Sequence, residues 1–410
     1  MLYKKTVLDN GITILSEKIK HVGSISIGAW VKAGSRDENA ENHGIAHFIE
    51  HMLFKGTKSR NKFEIAHFLE SRGGMLNAFT SKEYTCFYAR ALAENLEDSV
   101  DIIADIILNS TFDNEEIKKE KGVVLDEIDE ILDSPGDLIF DKFYGDLYRD
   151  HPLGEPILGS KEDVNKITAE HCRDFIKNQF TPNRIVITAS GYLEHDELIK
   201  YAEKYFRDVR LGESEQVFTK LPEINKTLNI YQHNSTNQDH YCIGTRTFPF
   251  KHKDRLTLLT LNSILSAGMS SRLFQNIREK YGISYSLQSY ADFFQDIGDF
   301  SVYAATNKKD TDKCIQLIHE ELDKLMENPV NETELKTIKA LLKSSLVMGL
   351  ESTTSRMNRL AKLFIYTNEF ETIDNVIQQI EKITPKDIQE LANRLFVRDN
   401  FVTTILKAKE

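Results

Sequence analysis

The sequence predicts an α+β fold built twice within 410 residues. Three observations predict it. Strand-like and helix-like segments are mixed without strict βαβ alternation, the chain resembles itself at an offset of 216 residues, and its length suits two or three domains, each able to bury a core. Residues 166–180 read Lys-Ile-Thr-Ala-Glu-His-Cys-Arg-Asp-Phe-Ile-Lys-Asn-Gln-Phe, and residues 382–396 read Lys-Ile-Thr-Pro-Lys-Asp-Ile-Gln-Glu-Leu-Ala-Asn-Arg-Leu-Phe. Each is followed by a short turn and a β-branched run, Ile185-Val186-Ile187-Thr188 in the first case and Val402-Thr403-Thr404-Ile405 in the second. The strand-like run 84–89 matches 300–305 at the same offset. A period of this size means a duplicated domain and not a solenoid repeat. The first domain is expected over 1–208 and the second over 226–410. Gly, Ser and Pro break the periodicity between them, so 209–225 reads as a linker.

Taken in order, Thr6-Val7-Leu8 and Ile12-Thr13-Ile14-Leu15 flank Asp9-Asn10-Gly11, a hairpin signal. Residues 24–31 alternate with period two, as a strand with one buried face does, and helical patterns follow at 43–55, 61–72, 93–109 and 113–132. The composition, 28 % charged and 40 % hydrophobic, is that of a soluble globular protein. With 52 Lys+Arg against 63 Asp+Glu the net charge is −11, which argues against a general nucleic-acid binder. No apolar run approaches the roughly 20 residues that span a bilayer, so no membrane association is expected. No apolar signal segment is read at the N-terminus, and Cys86, Cys172, Cys242 and Cys314 form no C-x-x-C pair. The expectation is a cytoplasmic protein with buried thiols.

The chemistry concentrates at His47-Phe48-Ile49-Glu50-His51. On a helix, positions i and i+4 share a face, so the two imidazoles point the same way with Glu50 beside them. This is the H-x-x-E-H pattern, the inverse of H-E-x-x-H, and two neutral imidazoles suit Zn²⁺ with a third ligand still to be found. His43 continues the i, i+4 series but precedes Gly44 near the helix start and reads as a solvated cap-region histidine. The acidic segment 115–130 offers the third ligand. Glu120 and Glu127 stand seven apart, near one helical stripe, and spacing does not choose between the acids of this segment.

With Glu127 placed 76 positions after His51, the motif resembles the pitrilysin-type zinc peptidases, and most nearly their processing-peptidase branch, over essentially the whole chain. The resemblance implies an α/β roll in each half, mostly antiparallel sheet packed with helices, the two forming a clam-like unit with one Zn²⁺ per chain in the first. It implies His47, His51 and Glu127 as zinc ligands, Glu50 as general base, and Glu120 as a supporting carboxylate that does not ligate. Asn77-Ala78-Phe79-Thr80 match an edge strand that pairs with the substrate backbone. Arg278 and Tyr285 match a pair that reaches the first half's site from the second. Asp137 and Asp141, one helical turn apart, match positions that hold a basic substrate side chain, as two carboxylates suit a guanidinium.

Two departures matter. Leu261-Asn262-Ser263-Ile264-Leu265 stands where the repeat would place a second metal motif, so one site per chain is expected. The short Ala267-Gly268-Met269-Ser270-Ser271 replaces a long glycine-rich loop found in the mitochondrial α-subunit, which favours a homodimer, or pairing with an inactive relative, over a heterodimer of that type. The expected activity is zinc-dependent cleavage of extended or unfolded peptides, near basic residues. Two rivals stand beside it: a non-catalytic structural subunit of the same fold, and a zinc hydrolase of small amides or esters.

Overall fold

The computed structural model describes residues 3–209, 212, 214, 218–234 and 236–409. Much of the expected linker at 209–225, namely 210, 211, 213 and 215–217, lies outside the described residues. In chain order the elements are β1 (Tyr3–Val7), β2 (Thr13–Lys18), β3 (Ser24–Val31), α1 (Ile45–Met52), α2 (Lys62–Glu70), β4 (Met75–Thr80), β5 (Thr85–Leu92), α3 (Leu96–Asn109), α4 (Asn114–Asp133), α5 (Pro135–Leu147), α6 (Lys161–Lys166), α7 (Ala169–Gln179), β6 (Ile185–Gly191) and α8 (His195–Tyr205). The chain continues through β7 (Thr227–His233), β8 (Asp239–Thr247), α9 (Arg255–Ser266), a π-helical segment (Phe274–Glu279), β9 (Ser286–Phe293), β10 (Gly298–Thr306), α10 (Thr311–Glu327), α11 (Glu332–Gly349), α12 (Thr353–Thr367), α13 (Ile373–Lys382), α14 (Pro385–Leu395) and β11 (Val402–Ala408). The α+β class stands. No helix among the described residues is long and apolar enough to cross a membrane.

The duplication is visible strand by strand. One sheet has the order β1-β2-β6-β3-β5-β4 and the other β7-β11-β8-β10-β9. In the first, β6 returns late in the chain to lie parallel to β2 and antiparallel to β3. In the second, β11 does the same between β7 and β8. All other pairings are antiparallel. The helices that start each return, α7 and α14, are capped alike: Thr168 Oγ1 accepts from the His171 amide and Thr384 Oγ1 from the Asp387 amide.

The chain divides into two compact units, and they are not the two halves of the repeat. One contains 1–128, 155–219 and 349–370; the other contains 129–154, 220–348 and 371–410. The domains expected at 1–208 and 226–410 follow the sequence repeat, whereas each compact unit takes one helix from the other half of the chain, α5 in the second unit and α12 in the first. The physical reason lies on the sheets. In the first unit, Ile25, Ile27, Ala29 and Val31 of β3 face a core shared with α1, α3 and α7. The alternation predicts one buried face, yet Ser26 and Trp30 on the other are also fully buried. That face is covered by α12: Ser26 Oγ lies 2.8 Å from Thr353 Oγ1, and a Cβ at Gly28 would stand 3.3 Å from Met357 Sδ. In the second unit, 216 residues on, Gly244 of β8 plays the same part, since a Cβ there would stand 2.7 Å from the Phe143 ring of α5. A glycine on the second face of each central strand, Gly28 and Gly244, admits the exchanged helix. The apolar face of α5 (Leu138, Ile139, Phe143, Leu147) completes a separate core with Cys242, Val402 and Leu406.

Candidate metal centre

Helix α1 starts abruptly. Gly44 precedes it at φ 85°, where a Cβ would meet the Leu158 carbonyl oxygen at 2.3 Å, so only glycine fits. Its first amides have no local side-chain cap. The buried carboxylate of Glu38 supplies one from upstream, accepting from the Gly44 amide at 2.8 Å and the Ala46 amide at 2.9 Å. This places negative charge at the helix N-terminus, where the dipole favours it. Ile45, Ala46, Phe48, Ile49 and Met52 bury one face of α1 in the core, which leaves His47, Glu50 and His51 on the other.

The rings of His47 and His51 lie 4.6 Å apart between centroids. Across from them, α4 buries Ile117, Glu120, Val124 and Ile128 and presents Glu127 one position off that stripe. Glu127 Oε2 stands 3.9 Å from His47 Nε2 and 3.7 Å from His51 Nε2, and one donor atom of each of the three residues lies within 4.8 Å of the others. Among the described residues this is the one cluster of three or more His, Cys, Asp or Glu that meets that spacing, and the region of Leu261 to Leu265 falls within α9 with no counterpart. Glu120 takes a different place. Its Oε1 lies 2.8 Å from His51 Nδ1, and its Oε2 pairs with Lys55 Nζ at 2.6 Å.

The donor set fits a divalent zinc ion. Burial, then the charge of His51, pushes His47 down to about 4, so this imidazole is neutral and carries a free lone pair at neutral pH. Burial also acts to lower His51, but the hydrogen bond to Glu120 and the carboxylates around it raise it overall. That hydrogen bond assigns the ring proton to Nδ1 and turns Nε2 towards Glu127, the arrangement in which a histidine binds metal while a carboxylate orients it. Two imidazole nitrogens and one carboxylate oxygen are a zinc donor set that leaves a fourth position open.

Glu50 sits beside this cluster. Burial raises its proton affinity, offset in part by a 2.6 Å hydrogen bond that Thr80 Oγ1 donates to Oε2. Asn77, Ala78, Phe79 and Thr80 all lie in β4, which ends the sheet and, among the described residues, has a strand on one side only. The amide of Ala78 donates to the Asn77 side-chain oxygen at 2.8 Å. Arg278 and Tyr285 belong to the second unit and meet each other there, the guanidinium 5.6 Å from the phenol ring, with Tyr285 77 % exposed. Asp137 and Asp141 lie on α5, also in the second unit, and Asp137 accepts from Ser134 Oγ at 2.5 Å. His43 lies 3.8 Å from Glu38 and is not part of the three-residue cluster. Sequence reading misses Glu38, Lys55 and the side-chain role of Thr80. Lys55 stands four residues after His51, just past the end of α1, a spacing that hints at the same side but not at the partner on α4.

Residues 13–161 match the model described as insulinase (peptidase family M16), and residues 166–342 match that of the M16 peptidase inactive domain. The chain is 36 % identical to a protein of Bacillus subtilis (strain 168) named uncharacterized zinc protease YmxG, over 97 % of this chain and 97 % of that protein. The chain belongs to the M16 peptidase family. Another M16 relative, named uncharacterized zinc protease in Rickettsia felis, is 36 % identical over 95 % of this chain and 94 % of its own length. Among solved structures, a protease from Helicobacter pylori superposes with a TM-score of 0.93 over 99 % of both chains at 24 % identity. The M16 membership agrees with the resemblance read from the motif and is consistent with the processing-peptidase branch.

Proposed function

We propose that this M16 chain is a zinc-dependent endopeptidase acting on extended or unfolded peptides. The observation that carries the reading is the convergence of His47, His51 and Glu127 within 4.8 Å, with Glu50 on the same face of α1. Zinc bound by these three side chains supplies Lewis acidity towards water and towards a carbonyl oxygen. Glu50 accepts a proton from the attacking water and delivers it to the leaving amine. His51 keeps its ring proton on Nδ1 through Glu120, and Lys55 holds Glu120 in place. The free edge of β4 takes the substrate backbone as an added strand, which demands an extended peptide. Arg278 and Tyr285 donate hydrogen bonds to substrate carbonyl oxygens, Tyr285 where negative charge develops. Asp137 and Asp141 favour a basic side chain near the cleaved bond. One zinc ion per chain, self-association as a homodimer and a cytoplasmic site of action belong to the same proposal.

The test is cleavage of a mixed peptide library, followed by mass spectrometry of the fragments, for the zinc-loaded protein, a chelator-treated sample and Glu50→Gln. Zinc-dependent internal cleavage is expected, and Glu50→Gln loses about 10²–10⁴ of the rate while keeping its zinc. A chain that binds zinc yet cuts nothing, with no difference between wild type and Glu50→Gln, is a scaffold. Cleavage confined to small amides identifies a hydrolase of another class.

A further inference from the structure

We propose that the Thr80 hydroxyl is the positioning group for Glu50, the direct link between the edge strand that receives the substrate and the general base. The inference rests on the peptidase reading above and adds a residue to its machinery. Side chains alternate along β4. Phe79 points to the face of Trp30, with ring centroids 5.5 Å apart, and meets Tyr84 and Tyr88 at 6.3 and 6.0 Å. Leu76 and Ala78 point to the opposite face and pack on the core that α1 shares. Thr80 falls on that second face, which brings its hydroxyl to Glu50 on α1.

Its backbone is held as well. Thr80 pairs in register with Thr85, whose own hydroxyl donates to the Ala33 carbonyl at 2.9 Å, and the Ser81 amide closes the turn onto the Tyr84 carbonyl at 2.8 Å. The terminal torsion of a glutamate is soft and roughly two-fold. Glu50 needs a fixed carboxylate plane to meet a water molecule, and a threonine has one O–H to give. Here that donor is spent on Oε2 at 2.6 Å; in this proposal the bond sets the plane and Oε1 meets the water. Binding a peptide on β4 steadies the strand that carries this hydroxyl, so substrate binding and base alignment are coupled.

The experiment uses the full-length zinc-loaded protein and one fluorogenic peptide taken from the library cleavage above. Thr80→Val removes the donor at nearly constant shape and Thr80→Ser restores it. The expected result is a kcat about tenfold lower in Thr80→Val, with KM within about twofold of wild type, zinc content unchanged, and Thr80→Ser within about twofold of wild type throughout. Adding Thr80→Val to Glu50→Gln is expected to cost nothing further, because both changes act through one carboxylate. Wild-type kcat in Thr80→Val, a change in KM alone, a Thr80→Ser variant as slow as Thr80→Val, or a further loss in the double variant overturns the proposal. A wild type that cleaves while Thr80→Val cleaves equally well removes this proposal only. A wild type that cleaves no peptide removes the peptidase reading, and this proposal with it.

Discussion

Glu120 and Glu127 stand two turns apart on one helix, and their surroundings give them different tasks. Glu127 is partly exposed and faces both imidazole Nε2 atoms, whereas Glu120 is buried, holds His51 Nδ1 and is held by Lys55. Burial works to raise Glu120, but the hydrogen bonds from His51 and Lys55 and their charges bring it below the usual carboxylate range. A carboxylate acceptor at Nδ1 makes the ring a better donor at Nε2. Glu120→Gln keeps an acceptor oxygen and removes the charge. Zinc affinity, measured by competition with a chromophoric chelator, is expected to fall about 10- to 100-fold, the usual cost of losing an orienting partner of a metal-bound histidine. Unchanged affinity in that variant means Glu120 serves packing alone.

At the scale of elements, Glu38 caps the start of the helix that carries His47 and His51, and a polar knot holds the loop that follows it. Before α2, the loop at Thr57 to Arg60 is tied to α3 through Asp105, which accepts from Arg60 Nη1 at 2.7 Å, Thr57 Oγ1 at 2.8 Å, Ser59 Oγ at 2.9 Å and Asn109 Nδ2 at 2.9 Å. Burial raises Asp105, yet these hydrogen bonds outweigh it and its pKa is lowered. A carboxylate whose folded pKa lies below its unfolded value contributes stability that is fully present above the unfolded value of about 4 and is lost as pH falls through the folded one. Asp105→Asn is expected to cost about 1–3 kcal/mol in urea unfolding at pH 7, and the gap to wild type is expected to narrow below pH of about 4. A gap that stays constant with pH assigns the loss to shape and not to charge. Much at this scale was legible in the sequence: the hairpin, β3, α1 and the two imidazoles on one face all follow from local periodicity. The third member of the cluster is not, because Glu120 and Glu127 share a stripe and only the placement of α4 against α1 separates them. The resemblance puts Thr80 on the substrate edge, but its side-chain partner is a contact across 30 residues that no spacing encodes.

At the scale of the whole molecule, the sequence repeat and the packing diverge. An amphipathic helix states that one face is to be buried but not which sheet buries it, so the exchange of α5 and α12 is invisible to periodicity. Its trace is the pair Gly28 and Gly244, which reads as an unremarked strand glycine until the helix above each is known. The exchange has a thermodynamic consequence. A fragment ending before residue 220 lacks α12, leaving Ser26, Gly28, Trp30 and Thr188 uncovered, and it carries α5 with the apolar face of Leu138, Ile139, Phe143 and Leu147 without its partners Cys242, Val402 and Leu406. Exposing four large side chains of α5 alone forfeits about 1.5–3 kcal/mol each, comparable in sum to the 5–15 kcal/mol that stabilises a domain. The fragments 1–219 and 220–410 are therefore expected to be unfolded or aggregated when produced singly, and to form a soluble, zinc-binding pair when produced together. Circular dichroism and size-exclusion chromatography of the three samples check this. A separately folded, cooperative 1–219 shows that α12 is dispensable to the first unit, and that the repeat, and not the exchanged packing, defines its folding unit.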